Sequence, residues 1–194
     1  MKNIGKNFFD KKSARAFFAE ERGKISQSCG KELSGRLCEK ITSLDEYKLA
    51  DAVLLYFPTR TEHDLTPLVS DALRQSKKVA FPVSNTDSLT LSFYEISSLD
   101  DLSSGAYGIP EPSSASAPIR PTKNTLCIVP ALAVDKDGYR LGYGKGYYDR
   151  FLEDFEGVTL CAVFSDLLCN SLPRLDTDIP VQIIVTERGA TISE

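Results

Sequence analysis

Apolar residues recur every three to four positions in two stretches near the start of the chain, residues 6–22 and 26–43. This spacing predicts two amphipathic helices. Lys11 and Arg15 lie four residues apart in the first stretch, so we expect both side chains on one helical face. On spacing alone, the simplest interpretation of that pair is a solvated charged face.

Short, continuous apolar runs follow, and they alternate with further helical stretches. Helices are predicted over residues 65–76 and directly after Gly146. Strands are predicted over residues 52–57, 78–83, 89–96, 126–129, 158–164 and, as the last strand, 181–185. The alternation predicts an α/β fold: a single open, mostly parallel, twisted sheet flanked by helices in a Rossmann-like three-layer arrangement, after the two N-terminal helices. Since neither a repeat nor a linker divides the chain, we expect one domain over residues 1–194.

One segment interrupts this alternation. Residues 103–122 contain four of the ten prolines together with many serines and alanines, and they predict a long loop that carries Tyr107. Loops of this length are uncommon unless they are functional or disordered. A passive connector with Tyr107 as a surface anchor is the alternative.

The most distinctive segment, residues 142–150, reads GYGKGYYDR and directly follows Arg140 and Leu141. Glycine at every second position lets backbone N–H groups approach an anion closely. Lys145 and the flanking arginines add positive charge, Asp149 offers oxygen ligands to a hard cation, and tyrosine rings suit a ring-bearing ligand. These residues predict a nucleotide phosphate site beside an aromatic substrate. The simpler alternatives are a plain glycine turn with tyrosines in the core, and a helix-start carboxylate at Asp149.

Charge and hydropathy argue against several classes of protein. A net charge of −4 gives no dominant basic face for nonspecific nucleic-acid binding. No apolar run approaches the ~20 residues that cross a bilayer, and residues 1–9 lack the apolar core of a secretion signal. We therefore expect a cytoplasmic protein that binds neither nucleic acid nor membranes.

The reactive side chains argue against a protein nucleophile and against a zinc site. The five cysteines are an odd number without a C-x-x-C pair, so they predict neither a disulfide framework nor zinc ligands. His63 is the single histidine, and no nucleophile-elbow sequence accompanies it. We expect His63 to be a solvated residue in a loop or at the rim of a site.

Longer motifs resemble those of one enzyme family. The run IVPALAVD at 128–135, followed by GYRLGYGKGYYDR at 138–150, closely resembles the signature of the 5-formyltetrahydrofolate cyclo-ligase family, also called 5,10-methenyltetrahydrofolate synthetase. Lys11 and Arg15 resemble the family's amino-terminal K-x-x-x-R. YGIPEP at 107–112 is similar to its G-I-x-E-P element. Its closing L-P…H-D…T-E segment is matched here by Leu172-Pro173, Asp178 and Thr186-Glu187.

The resemblance implies an enzyme with two small-molecule substrates, ATP and 5-formyltetrahydrofolate, and with Mg2+ as cofactor. Such an enzyme transfers the γ-phosphoryl group of ATP to the formyl oxygen, the ring closes, and 5,10-methenyltetrahydrofolate, ADP and phosphate are released. We expect a monomer. Two other functions stay open: a noncatalytic folate-binding protein, and another ATP-dependent phosphotransferase on the same fold.

By motif position, the resemblance also implies roles for individual residues. The implied catalytic residues are Lys145, Arg140 and Tyr148. The implied ATP-binding residues are Lys11, Arg15, Arg140, Leu141, Gly142, Tyr143, Gly144, Lys145, Gly146, Tyr147 and Tyr148. The implied substrate-binding residues are Phe57, Glu62, Tyr107, Tyr143, Tyr147 and Tyr148. The implied Mg2+ ligands are Asp149 and Asp178.

Two departures from the family pattern leave residue choices open. The EHDLT segment has one residue more than the family's E-x-[DE]-T, so either Glu62 or Asp64 can be the carboxylate that binds the pterin, and we prefer Glu62. Near the end of the chain the family's histidine is absent, and Asp176 and Asp178 compete for its aspartate. We prefer Asp178 because IPV follows it, as the pattern requires.

Overall fold

The computed structural model describes residues 8–25, 27–59, 62–113 and 115–193. Both helices predicted near the amino terminus are present in this part of the chain: α1 covers Lys11–Gly23 and α2 covers Gln27–Ser43. Helix α1 begins later than predicted because Asp10 caps it, accepting a hydrogen bond from the Ser13 N–H at 2.7 Å. Residues 6, 7 and 26 of the two predictions lie outside the described residues.

Besides three short 3-10 turns, the described residues contain three more α-helices and twelve strands. The helices are α3 (Asp45–Leu49), α4 (Pro67–Arg74) and α5 (Tyr147–Glu153). The strands are β1 (Ala52–Leu54), β2 (Lys78–Asn85), β3 (Thr90–Ile96), β4 (Leu102–Ser104), β5 (Pro110–Pro112), β6 (Thr125–Ile128), β7 (Ala133–Asp135), β8 (Arg140–Leu141), β9 (Val158–Ala162), β10 (Leu168–Cys169), β11 (Ile183–Thr186) and β12 (Gly189–Ile192). Within the described ranges, no helix has the length and apolar character that a bilayer span requires.

Seven strands form the central sheet, in the order β12-β11-β9-β6-β1-β2-β3. Neighbours from β11 to β2 run parallel, and the edge strands β3 and β12 are antiparallel to their partners. Helices α2, α4 and α5 pack against β11, β2 and β3, respectively. The predicted α/β fold, an open and mostly parallel sheet flanked by helices, is therefore confirmed.

Several element boundaries differ from the prediction for local reasons. Strand β1 ends at Leu54, and Tyr56 and Phe57 line a cavity instead of extending the strand. The prediction that residues 181–185 form the last strand is wrong, because β12 follows and pairs with β11 as an antiparallel edge. Helix α3 and strands β7 and β8 are five residues or shorter, which is too short for a hydrophobic period to reveal them.

The prediction of one long loop over residues 103–122 is wrong for its first part. Strands β4 and β5 pair there as a two-stranded antiparallel sheet, and a 3-10 turn at Ala106–Gly108 joins them. Proline lacks a backbone donor, but a two-stranded ribbon has free edges where Pro110 and Pro112 are tolerated. The prolines therefore mark an edge strand here. Ser114 lies outside the described residues.

A small sheet of β10, β7 and β8 carries the glycine-rich segment, and the buried carboxylate of Asp135 holds this sheet in place. Its Oδ1 accepts hydrogen bonds from the N–H groups of Asp137 and Tyr139, at 3.1 and 3.0 Å. Its Oδ2 accepts from the Leu172 N–H at 2.9 Å and from the Arg174 guanidinium at 3.2 Å. One carboxylate thus joins the β7–β8 turn to the segment that leads to Asp178.

His63 is buried, with 1% of its surface exposed, so the expectation of a solvated loop or rim residue is wrong. Its ring lies 4.1 Å from the Phe164 ring, centroid to centroid. Neither ring nitrogen has a hydrogen-bond partner among the described residues. Burial, together with the smaller effect of the nearby Arg22 charge, lowers the pKa of His63 from 6.5 to about 3. The imidazole is therefore neutral at physiological pH.

We expect Asp135→Asn to lower the free energy of unfolding by about 3 kcal/mol, because the amide NH2 must face two of the four donors that the carboxylate satisfies. Urea unfolding measures the loss. Asp137→Asn is the control: Asp137 also binds Arg174 but is partly exposed, so its loss is about 1 kcal/mol or less. Equal losses in the two variants would contradict the structural role of Asp135.

The His63 pKa also predicts a pH dependence of stability. The unfolded chain binds a proton at His63 near pH 6.5, whereas the folded protein does so only near pH 3. The contribution of His63 to the free energy of unfolding is therefore most favourable above pH 6.5. It falls by about 1.4 kcal/mol for each pH unit as pH decreases from 6.5 toward 3. In urea unfolding between pH 7 and 5, wild type should lose this increment relative to His63→Phe, which keeps the ring contact with Phe164. Parallel pH profiles for the two proteins would refute the assignment.

Candidate active site

A cavity of about 870 Å³ lies beside the carboxyl ends of two parallel strands of the central sheet. Tyr56 and Phe57, which follow β1, and Pro130, which follows β6, form part of its wall. This is the edge at which open α/β sheets bind ligands. The buried apolar side chains of the parallel strands end here, and polar side chains from the loops line the cavity.

The glycine loop, residues 142–146, forms one side of the cavity. It joins a strand to a helix as predicted, but that strand, β8, belongs to the small sheet and not to the central one. Gly144 and Gly146 have φ angles of 93° and 69°, the left-handed region that favours glycine. A Cβ on Gly144 would lie 3.1 Å from the Arg15 guanidinium, so this position also permits the close approach of a cation.

Two arginines hold the glycine loop from different parts of the fold. Arg15 of α1 donates from Nε to the carbonyl of Gly142 at 2.8 Å. Arg150 of α5 donates to the carbonyl of Lys145 at 2.6 Å and to that of Leu89, in the β2–β3 turn, at 2.8 Å. The conformation of the loop is therefore fixed by tertiary contacts as well as by its glycines.

The predicted phosphate-binding cations and the predicted metal-binding carboxylates pair with each other. The Lys11 ammonium lies 2.5 Å from both oxygens of Asp178. Arg140 donates to Asp149 at 2.9 Å and to the carbonyl of Ile179 at 2.9 Å, while its buried Nε has no partner in the described chain. The cations are largely shielded from solvent, with side-chain exposure of 20% for Lys11 and 5% for Arg140, whereas Asp149 is partly exposed. The cavity thus carries opposite charges in contact.

The carboxylates of Asp149 and Asp178 suit a metal ion only in combination with oxygen atoms from a ligand. The described residues contain no group of three or more His, Cys, Asp or Glu side chains that could hold a metal. Mg2+ in nucleotide sites is commonly bound through one or two carboxylates, phosphate oxygens and water. The two aspartates therefore fit a nucleotide-borne Mg2+ and do not fit a protein-enclosed metal site.

Tyrosines cover the other side of the cavity. The Tyr148 hydroxyl is buried without a hydrogen-bond partner among the described residues, and burial raises its pKa well above the usual value. The hydroxyls of Tyr107 and Tyr147 lie 3.1 Å apart, and this hydrogen bond raises the pKa of Tyr147 to about 12. The Tyr147 and Tyr148 hydroxyls therefore stay protonated at neutral pH. Tyr107 has a φ of 57°, which is unusual for a tyrosine.

Arg22 contacts Tyr143 on the tyrosine side of the cavity, and the sequence analysis did not identify it. This buried residue of α1 donates to the carbonyl of Ala131 and, at 3.3 Å, to the hydroxyl of Tyr143. It lies seven positions after Arg15, on the same helical face. That spacing was the available signal, because positions four and seven apart stack along one side of a helix.

The carboxylates that compete for the pterin-binding position, Glu62 and Asp64, lie in different places. Glu62 lines the cavity, and its Oε2 accepts a hydrogen bond from the Thr59 N–H at 2.8 Å. Asp64 is exposed and accepts from the N–H and hydroxyl of Thr66, just before α4. Asp176 and Asp178 both line the cavity, and Asp178 is the one that binds Lys11.

Most of the residues that the motifs single out meet in this cavity. Those lining it are Lys11, Arg15, Phe57, Glu62, Tyr107, Arg140, Gly142, Tyr143, Gly144, Lys145, Gly146, Tyr147, Tyr148, Asp149 and Asp178. Leu141 is the exception, since its side chain is buried in the core and forms no part of the wall. Its place in a motif gave no indication of direction: alternate residues of a strand point to opposite faces. Arg150, predicted only as one of the arginines that add positive charge to the motif, also lines the cavity. Glu111 lines it as well, and no role was predicted for it.

Comparison with known proteins agrees with this geometry. The sequence profile of the 5-formyltetrahydrofolate cyclo-ligase family matches residues 8–187. The 5-formyltetrahydrofolate cyclo-ligase of Mus musculus is 24% identical over 189 residues, which cover 91% of this chain and 89% of that protein. The enzyme of the same name from Escherichia coli K12 is 26% identical over 172 residues, covering 86% of this chain and 94% of that protein.

Solved structures give the same result. The NMR structure of 5,10-methenyltetrahydrofolate synthetase from Aquifex aeolicus matches with a TM-score of 0.82 and 34% identity, over 94% of this chain and 92% of that one. The synthetase from Mycoplasma pneumoniae, at 18% identity and a TM-score of 0.75 over 92% of this chain and 99% of that one, shares the fold. Because the family profile covers nearly the whole chain, this protein is an enzyme of the 5-formyltetrahydrofolate cyclo-ligase family.

Proposed function

We propose that this enzyme uses Mg-ATP to convert 5-formyltetrahydrofolate into 5,10-methenyltetrahydrofolate, ADP and phosphate. One observation carries the proposal: a single cavity combines a cation-bearing glycine loop with an aromatic wall that holds the Glu62 carboxylate. A triphosphate needs the first part, and a reduced pterin with several N–H donors fits the second. The two together support phosphoryl transfer from ATP to a folate.

Positioning and charge neutralisation explain most of the catalysis. Lys11, Arg15, Arg140 and Lys145 would neutralise the phosphates, while the glycine loop offers backbone contacts. Phosphoryl transfer requires alignment and compensation of charge on the phosphoryl oxygens, and it needs no protein nucleophile. The described cavity wall agrees with this chemistry, because it contains lysine, arginine and tyrosine but neither cysteine nor histidine.

The proposed reaction has two steps, phosphoryl transfer and ring closure. The formyl oxygen attacks the γ-phosphorus of ATP, the bond to the β-phosphate oxygen breaks, and ADP leaves. The anilinic nitrogen of the folate then attacks the activated formyl carbon and loses its proton, the ring closes, and inorganic phosphate departs with the former formyl oxygen. Phe57, Glu62, Tyr107, Tyr143 and Tyr147 would hold the folate, and the buried Tyr148 hydroxyl would donate between the two substrates.

Asp149 and Asp178 would hold Mg2+, which supplies positive charge against the phosphate oxygens. In the structure these carboxylates bind Arg140 and Lys11 instead. With both ligands bound, Lys11 and Arg140 would pair with phosphate, and Asp149 and Asp178 would be available to the metal. The paired arrangement therefore favours joint binding of metal and nucleotide, since either ligand alone leaves one partner of each pair without an opposite charge.

An absorbance assay for methenyl product in the presence of Mg-ATP and 5-formyltetrahydrofolate tests the function. Wild type should form the product, and Lys145→Ala should lower kcat/KM by roughly 100-fold, as loss of one charge-stabilising donor does elsewhere. Lys123→Ala, an exposed lysine outside the cavity wall, is the matched control and should match wild type. Folate binding without product would favour the noncatalytic alternative. ADP release only with another acceptor would favour a different phosphotransferase.

The ion-pair arrangement predicts changes of opposite sign in Lys11→Ala. Loss of the ammonium removes the countercharge of Asp178 and leaves its Oδ1 without a partner, while Oδ2 still accepts from the Leu175 N–H at 2.7 Å. Binding of Mn2+ without nucleotide should therefore tighten by roughly fivefold. Binding of ATP in EDTA should weaken, because a phosphate-binding cation is lost. Electron paramagnetic resonance of free Mn2+ and calorimetry measure the two affinities. Lys12→Ala, exposed on the same helix, is the control. Parallel changes in both affinities would rule out the exchange of partners.

A further inference from the structure

Glu111 is a buried carboxylate in the cavity wall to which the proposed reaction assigns no role. It lies in β5, between Pro110 and Pro112, and only 9% of the residue is exposed. Its Oε1 accepts a hydrogen bond from the Ser84 N–H at 3.0 Å. That donor belongs to the part of β2 that extends beyond its pairing with β1, which ends at Ala80.

A second contact restricts the Glu111 side chain. The backbone of Gly105 packs against it so closely that a Cβ there would lie 2.4 Å from Oε2 and 2.5 Å from Cγ. The carboxylate is therefore held between two strands and a turn. Its Oε2 has no hydrogen-bond partner among the described residues, and the side chain lines the cavity.

The surroundings of Glu111 indicate the chemistry of its partner. Leu91, Ile109 and Pro82 make this wall apolar, and the Tyr147 hydroxyl lies within electrostatic range of the carboxylate. A fixed acceptor in an apolar wall orients a ligand that carries a donor. Phosphates and the carboxylates of a glutamate tail would be repelled. The N–H groups of a reduced folate, on its pterin ring and on the anilinic nitrogen, are the donors available in the proposed substrates.

We propose that Glu111 is a second substrate-binding carboxylate beside Glu62, and that its Oε2 accepts a hydrogen bond from an N–H group of the folate. This inference rests on the proposed function. Each of the two carboxylates has one oxygen bound to a backbone N–H, Glu62 to Thr59 and Glu111 to Ser84. This shared arrangement directs the second oxygen of each side chain to the ligand and limits the rotamers that can be adopted.

Glu111→Gln separates substrate binding from a merely structural role. The amide oxygen can keep the hydrogen bond from Ser84, while the NH2 group replaces the free acceptor with a donor. We expect KM for 5-formyltetrahydrofolate to rise at least about tenfold, the effect of one hydrogen bond to a charged acceptor. KM for ATP and the Tm should stay within error of wild type. Glu156→Gln removes an exposed carboxylate outside the cavity wall and is the control, with unchanged KM.

Gly105→Ala tests the same site without changing the charge. Gly105 has a φ of −115°, which alanine adopts without strain, so the new methyl group acts by displacing the Glu111 side chain. KM for the folate should rise as in Glu111→Gln, with ATP binding unchanged. An unaltered folate KM in Glu111→Gln, or a lowered Tm as its sole effect, would overturn the inference.

Direct binding keeps this test independent of turnover. Wild type that forms no methenyl product would refute the proposed function, but calorimetry with 5-formyltetrahydrofolate alone still compares wild type with Glu111→Gln. Weaker binding by the variant supports the role of Glu111 in either case. Equal dissociation constants for the two proteins refute it in either case.

Discussion

The contact between Lys11 and Asp178 is the interaction on which the site depends. It joins the first helix to a segment 167 residues later, and both side chains are largely shielded from solvent. A cavity that gathers several cations in the absence of a ligand is unfavourable, because like charges repel and burial removes hydration. The ion pairs of Lys11 with Asp178 and of Arg140 with Asp149 lower that cost. The Lys11–Asp178 pair also brings distant parts of the chain to one site.

The same pairing of opposite charges explains why the site combines a fixed glycine loop with side-chain contacts that a ligand can replace. The glycine loop is held by Arg15 and Arg150 through its carbonyl groups, which leaves the charge of Lys145 free for a ligand. Asp135 fixes the small sheet from which that loop extends. The supports of the loop are hydrogen bonds to backbone carbonyls, whereas four charged groups proposed to bind ligands pair with each other, Lys11 with Asp178 and Arg140 with Asp149. We therefore expect ligand binding to exchange side-chain contacts while the loop backbone stays in place.

The aromatic side of the cavity follows a different principle. Neutral tyrosine hydroxyls and two carboxylates, each with one oxygen bound to a backbone N–H, present acceptors and donors in an apolar wall. Polar groups in such surroundings select a ligand strongly, because an unpaired group costs more when water is excluded. Under the proposed function, nucleotide binding would rely on charge, and folate binding would rely on the direction of hydrogen bonds.

The sequence by itself determined the α/β class, the main strands and the residues that would meet at a glycine loop, because hydrophobic period and motif spacing are local properties of the chain. It failed for the hairpin β7–β8, for β4 and β5, and for the burial of His63, since short elements and loop burial depend on contacts distant in sequence. Only the tertiary structure distinguished Glu62 from Asp64, turned Leu141 into the core, and placed Glu111 and Arg22 near the site. A spacing fixes which residues are neighbours along the chain, whereas the direction of a side chain is decided by what packs against it.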